Sequence, residues 1–385
     1  MADEIHLCGD PSSLQLIQRI GSVLGEEIEV SNYQRLSPLV PSPIPLVNPL
    51  QNLSKGDCII AFSRKDIHDI KKLIEENSPL RCCVVYGSLP PESRSQQAAL
   101  FNDPNSGYDV LIASDAIGMG LNLNIKRIIF STLEKFDGKS VRFLTPSEIK
   151  QIAGRAGRFG SVFPTGEVTC LNEKDISRLQ KALSSPIVPL KAAGLLPSYE
   201  HFEVFARLHD GKQQKEFSQI LKFFLKMCTV DSHYFLCDVE DALKIAKLLD
   251  GVHISSKDFF TFISAPADTK NSISLSYLVQ YANLYATEDE VPVGIDMSSL
   301  LVSSYSTKDA LAHFETYHQI CDLYLWLSMR FDKFSEQRKC YEIQTELHAQ
   351  IEGLLTQLPH RNARRHKHFL KKKMQSRQRH RELSA

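Results

Sequence analysis

The hydrophobic rhythm of this chain changes near Pro189. Between residues 57 and 171, short apolar runs alternate with stretches of helical period, which predicts a parallel sheet covered on both faces. The strands fall at 57–62, 80–85, 110–113, 127–130 and 167–171. Ser63 caps a helix with a buried stripe of Ile67, Ile70, Leu73 and Ile74, and Pro90-Pro91 opens a second helix that ends near Phe101. Beyond Pro189 only helical periods follow, at 199–208, 216–227, 238–249, 257–262, 275–286, 308–331 and 335–358. At the start of the chain, residues 5–8 and 28–30 are strand-like and 14–24 helical, too few elements to close a core. Five prolines in 37–50 mark an extended linker. The expected order is a remnant of a preceding domain (1–35), a proline-rich linker (36–50), a sheet domain (51–190), a helical domain (191–300), long carboxyl-terminal helices (301–358) and a tail (359–385). The fold class is an α/β parallel-sheet domain followed by an all-α domain and a basic tail.

Composition adds two constraints. The 385 residues are 43% hydrophobic and 23% charged, as in ordinary soluble proteins, and no apolar run approaches membrane-spanning length. The nine cysteines include no C-x-x-C pair, so reduced, buried thiols are expected and no metal site is assigned. The formal charge of zero hides an asymmetry: ten Lys or Arg and no acid lie between Arg361 and Arg381, leaving 35 basic against 44 acidic residues before them. Such a tail either binds nucleic acid or is a solvated end or address label. The amino end, with Asp3 and Glu4, is not a targeting peptide, and any import signal is expected outside this chain.

The densest chemistry is QIAGRAGRFG, Gln151 to Gly160. Counted along a helix, Gln151, Arg155 and Arg158 share one face. Gly154 and Gly157 would each cost a helix about 1 kcal/mol against alanine, so they imply close approach to the backbone rather than local stability. Thr145-Pro146-Ser147-Glu148 starts the helix and places both arginines in its last turns. Paired guanidinium groups beside bare backbone suit a polyanion such as a nucleoside triphosphate. In an open parallel sheet the ligand loops follow the strands. Those loops carry Phe62-Ser63-Arg64, then YGSLPPESR with Gly87 and Ser88 able to offer N–H groups to a phosphate, then ASDAIGMGLNL at 113–123. Ser63 and Asp115 could equally be plain helix caps. Gly138-Lys139-Ser140 is no phosphate loop, because Leu133 stands where glycine is required. Asp3-Glu4-Ile5-His6 is read as coincidence, since the strand-like residues follow rather than precede it. Phe202, Phe205, Tyr234 and Phe235 are read as core rather than base-stacking groups, and His201, His209 and His233 show no ligand spacing.

QIAGRAGR resembles the Q-x-x-G-R-x-G-R arginine-finger motif of superfamily 2 helicases, and ASDAIGMGLNL resembles their motif V, with serine at 114 where threonine is commoner. Phe62-Ser63-Arg64 is similar to motif IV. YGSLPPESR, IFSTLEKFDG, LTPSEIKQIAGRAGRFG and AAGLLPSYEHFEVFA together resemble the suppressor-of-Var family of mitochondrial RNA helicases of the RNA degradosome, over about residues 55 to 290. His6-Leu7-Cys8-Gly9-Asp10 looks like the end of that family's first RecA-like domain, so the sheet domain corresponds to the second. The resemblance implies ATP-driven 3′ to 5′ unwinding of RNA in partnership with polynucleotide phosphorylase, and a helical region that closes a ring around the strand. It implies Arg155 and Arg158 as arginine fingers and Gln151 as the group that orients water or the γ-phosphate. Asp115, Gly118 and Gly120 would lie on the nucleotide side, with Ser63, Arg64, Gly87, Ser88 and Ser114 on the RNA backbone. ATP and Mg2+ would be held mainly by another domain, and the chain by itself would not hydrolyse ATP. The family's compartments are the mitochondrial matrix and also the nucleus. Two other readings stay open: a non-catalytic RNA-binding or degradosome adaptor on the same fold, and an α/β protein of unrelated ligand class.

Overall fold

A computed structural model describes residues 4–46, 48–118, 120–209, 216–237, 239–302 and 307–357; the basic tail lies outside them. Two compact units form. One comprises residues 32–186 and the end of the last helix from Glu352; the other comprises the chain up to Ser31 and from Ile187 to Ile351.

In chain order, α1 (Leu14–Leu24) belongs to the second unit, and the sheet unit then runs β1 (Leu39–Pro41), α2 (Pro49–Asn52), β2 (Asp57–Ile60), α3 (Arg64–Asn77), β3 (Cys82–Val85), α4 (Pro91–Asn102), β4 (Val110–Ala113), β5 (Arg127–Phe130), β6 (Glu134–Phe136), β7 (Val141–Phe143), α5 (Pro146–Ala153), β8 (Gly166–Cys170) and α6 (Glu173–Ser184). The six-stranded sheet has the order β1-β8-β5-β2-β4-β3 and is parallel throughout. β2, β3 and β4 are buried at every residue, as a sheet covered on both faces requires. Ile60 pairs with Ala113 and Phe130, Ala113 with Val85, and Phe130 with Cys170. The carboxyl ends of five strands therefore share one row, and the loops after them converge on one edge. At the opposite edge Arg127 grips the fully buried Asp57 through Nε (3.0 Å) and Nη2 (2.6 Å). Removing one partner of such a pair costs about 3–5 kcal/mol, because the other charge stays buried.

Local chemistry explains most boundaries. Ser63 Oγ accepts from Asp66 N (3.0 Å) and starts α3, and Thr145 and Glu148 close a reciprocal capping box on α5. The proline-rich stretch supplies the edge strand β1, where a missing N–H is tolerated. The expected strands at 5–8 and 28–30 do not form: Ile5 and Leu7 are 78% and 66% exposed, with no neighbouring strand to pair with. Conversely α6, absent from the sequence reading, buries Ile176, Leu179 and Ala182 on the sheet core. The β6–β7 hairpin was also unread, although Asp137-Gly138 is a turn pair: Asp137 Oδ1 accepts from Lys139 N and Ser140 N, and Gly138 has a φ of 103°.

The second unit holds α1 and then β9 (Ala193–Leu195), α7 (Tyr199–His209), α8 (Phe217–Met227), β10 (Tyr234–Leu236), α9 (Glu240–Leu249), α10 (Ser256–Ile263), α11 (Ser272–Thr287), α12 (Met297–Val302), α13 (Thr307–Ser328) and most of α14 (Gln337–Gln357). Aromatic packing organises it. Phe202 is 1% exposed and meets the rings of Phe217, Phe224 and Phe260 at centroid distances of 4.6, 5.9 and 5.9 Å. Tyr281 and Tyr324 are buried with their hydroxyls donated to the carbonyls of Val293 and Val291. β9 and β10 make a short parallel pair that the helical periods did not reveal; Tyr234 and Phe235 lie on it, and Phe235 is 52% exposed rather than core. No helix among the described residues is long and apolar enough to cross a membrane.

Candidate functional site

The row of strand ends carries the residues singled out from the sequence. Ser63 and Arg64 follow β2, Gly87 and Ser88 follow β3, and Ser114 to Gly120 follow β4. Ser63 Oγ accepts at its helix cap and Ser114 Oγ accepts from Ala116 N (3.1 Å), which leaves the O–H of each to donate outward. Gly87 is exposed, with open space where a side chain would stand, and Gly120 is exposed with a φ of 82°. Asp115 opens a 3-10 turn, Asp115–Gly118, and its carboxylate pairs with Lys135 (3.2 Å).

The helix carrying Gln151 is shorter than its spacing predicts. α5 ends at Ala153, Gly154 is its C-cap, and Arg155 and Arg158 lie beyond it, so the shared helical face does not exist. Packing overrides the period here. Ala156 bridges to Ile125, Gly157 N donates to Ile125 O (2.8 Å), and Gly157 takes a left-handed φ of 70°. A β-carbon on Gly157 would lie 2.2 Å from Gly166 N, and one on Gly166 2.1 Å from Ala156 O. Both glycines are required for two backbones to touch. The turn thus diverts the chain from helix into contact with β8.

The diversion gives the two arginines different environments. Arg155 turns inward: its Nη2 donates to Gly118 O, it is half-buried, and burial lowers its pKa. Gln151 covers the same glycine, with Nε2 3.4 Å from where a Gly118 β-carbon would be. Arg158 is exposed, and no side-chain hydrogen bond or ion pair holds its guanidinium among the described residues. Its backbone is nevertheless fixed: its N–H donates to Phe163 O (2.9 Å), and its carbonyl accepts from Ser161 N (3.1 Å) and Ser161 Oγ (2.8 Å). A permanently charged fork on a fixed backbone is the arrangement that meets an anionic ligand with little ordering cost.

An ion network that the sequence reading missed joins these loops. Lys135 of the hairpin contacts Asp115 and Glu148 (3.2 and 2.7 Å), while Arg142 makes two 2.9 Å bonds to Glu148 and lies 3.3 Å from Asp137. Arg142 first, then Lys135 and both groups of Thr145, hold the Glu148 carboxyl well below the usual carboxylate range, against the opposing effect of burial. For Lys135, burial works to lower the pKa and the hydrogen bonds to Glu148 and Asp115 outweigh it. A depressed carboxylate stabilises the fold at pH values above its unfolded pKa, and that contribution fades as pH falls toward the folded one. Glu148→Gln is therefore expected to be less stable than the parent at neutral pH and to lose less stability between about pH 5 and pH 3. Urea midpoints against pH check this; parallel acid limbs would contradict it.

Comparison with known proteins gives three family matches: the helicase conserved C-terminal domain over residues 44–160, the Suv3 C-terminal domain 1 over 244–286, and the SUV3 C-terminal domain of ATP-dependent RNA helicases over 311–357. The mitochondrial DExH-box ATP-dependent RNA helicase DExH16 of Arabidopsis thaliana is 45% identical over 331 residues, covering 86% of this chain and 57% of that protein. The chain belongs to the Suv3 helicase family. The mitochondrial SUV3 of Oryza sativa subsp. japonica is also 45% identical, over 86% of this chain and 56% of its own length, and the mitochondrial SUPV3L1 of Homo sapiens is 40% identical, over 90% and 44%. The chain spans about half the length of these curated relatives. Its six-stranded sheet is the RecA-like helicase C-terminal fold. Gly118 meets both Gln151 and Arg155, so the stretches that resemble motifs V and VI come together at one glycine.

Proposed function

We propose that this chain is the carboxyl-terminal half of an ATP-dependent RNA helicase that unwinds RNA 3′ to 5′ for RNA degradation. The observation that carries the reading is the division of labour at motif VI: Arg155 locked onto Gly118, Arg158 exposed and unpaired on an anchored turn. In this reading Arg158 is the arginine finger that meets the γ-phosphate of a nucleotide bound by another RecA-like domain. Arg155 and Gln151 set the floor beneath it, with Gln151 orienting the attacking water. Asp115, Gly118 and Gly120 line the nucleotide side, and Ser63, Arg64, Gly87, Ser88 and Ser114 meet the RNA backbone along the row of strand ends. In this reading residues 51–190 are the second RecA-like domain.

By family, Mg2+ is assigned to ATP and the phosphate-loop domain, where it would neutralise charge on the phosphates. Polynucleotide phosphorylase is proposed as a partner and the mitochondrial matrix as the compartment, both by family. The test is steady-state ATP hydrolysis by the two-domain enzyme, this chain joined to its phosphate-loop domain, with and without single-stranded RNA. Turnover stimulated by RNA supports the reading. RNA binding without turnover would instead make the protein an adaptor.

A further inference from the structure

The turn that presents the two arginines is gripped from outside by a third. Arg35 lies on the segment that leads into β1, 119 residues before Gly154. Its Nε donates to Ser37 O (2.5 Å), its Nη1 to Gly154 O (2.5 Å), and its Nη2 to Ala156 O and to Gly157 O (3.2 Å). One guanidinium thus ties three of the four carbonyls after the end of α5 to the strand segment. The carboxyl end of a helix is its negative pole, which favours a cation there. A planar fork of five donors serves several carbonyls at fixed angles, whereas the three donors of an ammonium turn on a flexible stem.

The segment itself is fixed. Gly166 N donates to Pro38 O (2.9 Å), and Leu39 then pairs with Gly166, the residue whose backbone abuts Ala156 and Gly157. The turn is therefore held between β8 on one side and Arg35 on the other, and both are tied to the same stretch of chain.

We propose that Arg35 is a positioning residue for the arginine finger: its guanidinium fixes the Gly154–Gly157 backbone, keeps Arg155 on Gly118, and so aims Arg158 at the triphosphate. The proposal rests on the helicase reading above. Arg35 touches neither nucleotide nor RNA; it acts through the turn. A finger misplaced by about 1 Å loses on the order of 10² in rate.

The test uses the two-domain enzyme and RNA-stimulated ATP turnover. Arg35→Lys and Arg35→Ala should each lower kcat by roughly 10²-fold with little change in KM for ATP, because the contact being lost is made in the transition state. In the Arg158→Ala background, Arg35→Lys should cause no further loss, since the group it positions is gone. Arg35→Lys retaining full kcat, or the double variant falling by a further multiple equal to the single effect, would overturn the positioning role. Should Arg35→Ala fail to fold, Arg35→Lys with a parental thermal midpoint decides the matter. A parent enzyme silent toward RNA would overturn the helicase reading and this one with it; an active parent with an indifferent Arg35→Lys would overturn this one alone.

Discussion

Replacing Arg158 by alanine in the two-domain enzyme is expected to lower RNA-stimulated ATP turnover by about 10³-fold while leaving the fold intact. The size follows from the worth of an arginine finger in phosphoryl transfer, where charge spreads over the equatorial oxygens as the bond to the leaving group breaks. The sparing of the fold follows from the structure: the guanidinium is exposed and tied to nothing among the described residues, and the bonds that hold the turn come from the Arg158 backbone, which alanine keeps. Arg155→Ala should behave differently. It removes a half-buried guanidinium and leaves Gly118 O without its donor, so thermal stability and turnover should fall together. Thermal melts beside steady-state kinetics separate the two. If Arg158→Ala lost as much stability as Arg155→Ala, or kept parental turnover, the assignment of roles would be reversed.

Gly157→Ala is expected to be the most damaging single methyl in the sheet unit. Its β-carbon would need to occupy a position 2.2 Å from Gly166 N and 2.7 Å from Gly166 Cα, on a residue with a φ of 70°. A left-handed alanine costs roughly 1–2 kcal/mol by itself. The clash is with backbone in a central contact, so relief requires shifting β8 or unwinding the turn, and the total should reach about 3 kcal/mol or more. Denaturant midpoints measure it. Gly160→Ala, in the same loop at a φ of 71° but with open space before it, should cost only the conformational share. Equal losses at the two glycines would show that dihedral strain, not the close approach of β8, explains Gly157.

The sheet was legible because its strands are buried on both faces and so carry apolar runs such as Val110–Ala113 and Ile128–Phe130, and the bounds 110–113 and 127–130 match to the residue. The loops after the strands were legible as chemistry because topology puts ligands there. The course of the chain after Ala153 was not. Residue spacing gave Gln151, Arg155 and Arg158 a common helical face, whereas Gly157 among them serves a contact with Gly166 that no local period encodes. The close approach inferred from the two glycines is found at Gly157, while Gly154 is the helix C-cap and the expected helix stops there. Lys135 was hidden for a related reason: the hairpin bearing it is announced by Asp137-Gly138, but its ion partners lie 20 residues before it and 13 after it. Arg35 carries no local signature of its role, since three of its four acceptor carbonyls lie more than a hundred residues away. In the helical unit the amphipathic periods located the helices except the six-residue α12, and the β9–β10 pair is three residues long on each strand, too short for any period to reveal.

Strand displacement measures whether ATP hydrolysis is coupled to movement along RNA, as proposed above. Two RNA duplexes of one sequence, one with a 3′ single-stranded overhang and one with a 5′ overhang, are incubated with the two-domain enzyme, ATP and Mg2+, and release of the labelled strand is followed. The account predicts ATP-dependent release from the 3′-tailed duplex, little from the 5′-tailed one, and neither with Arg158→Ala. Duplex bound but left intact in the presence of ATP, or released equally by the parent and Arg158→Ala, would contradict it.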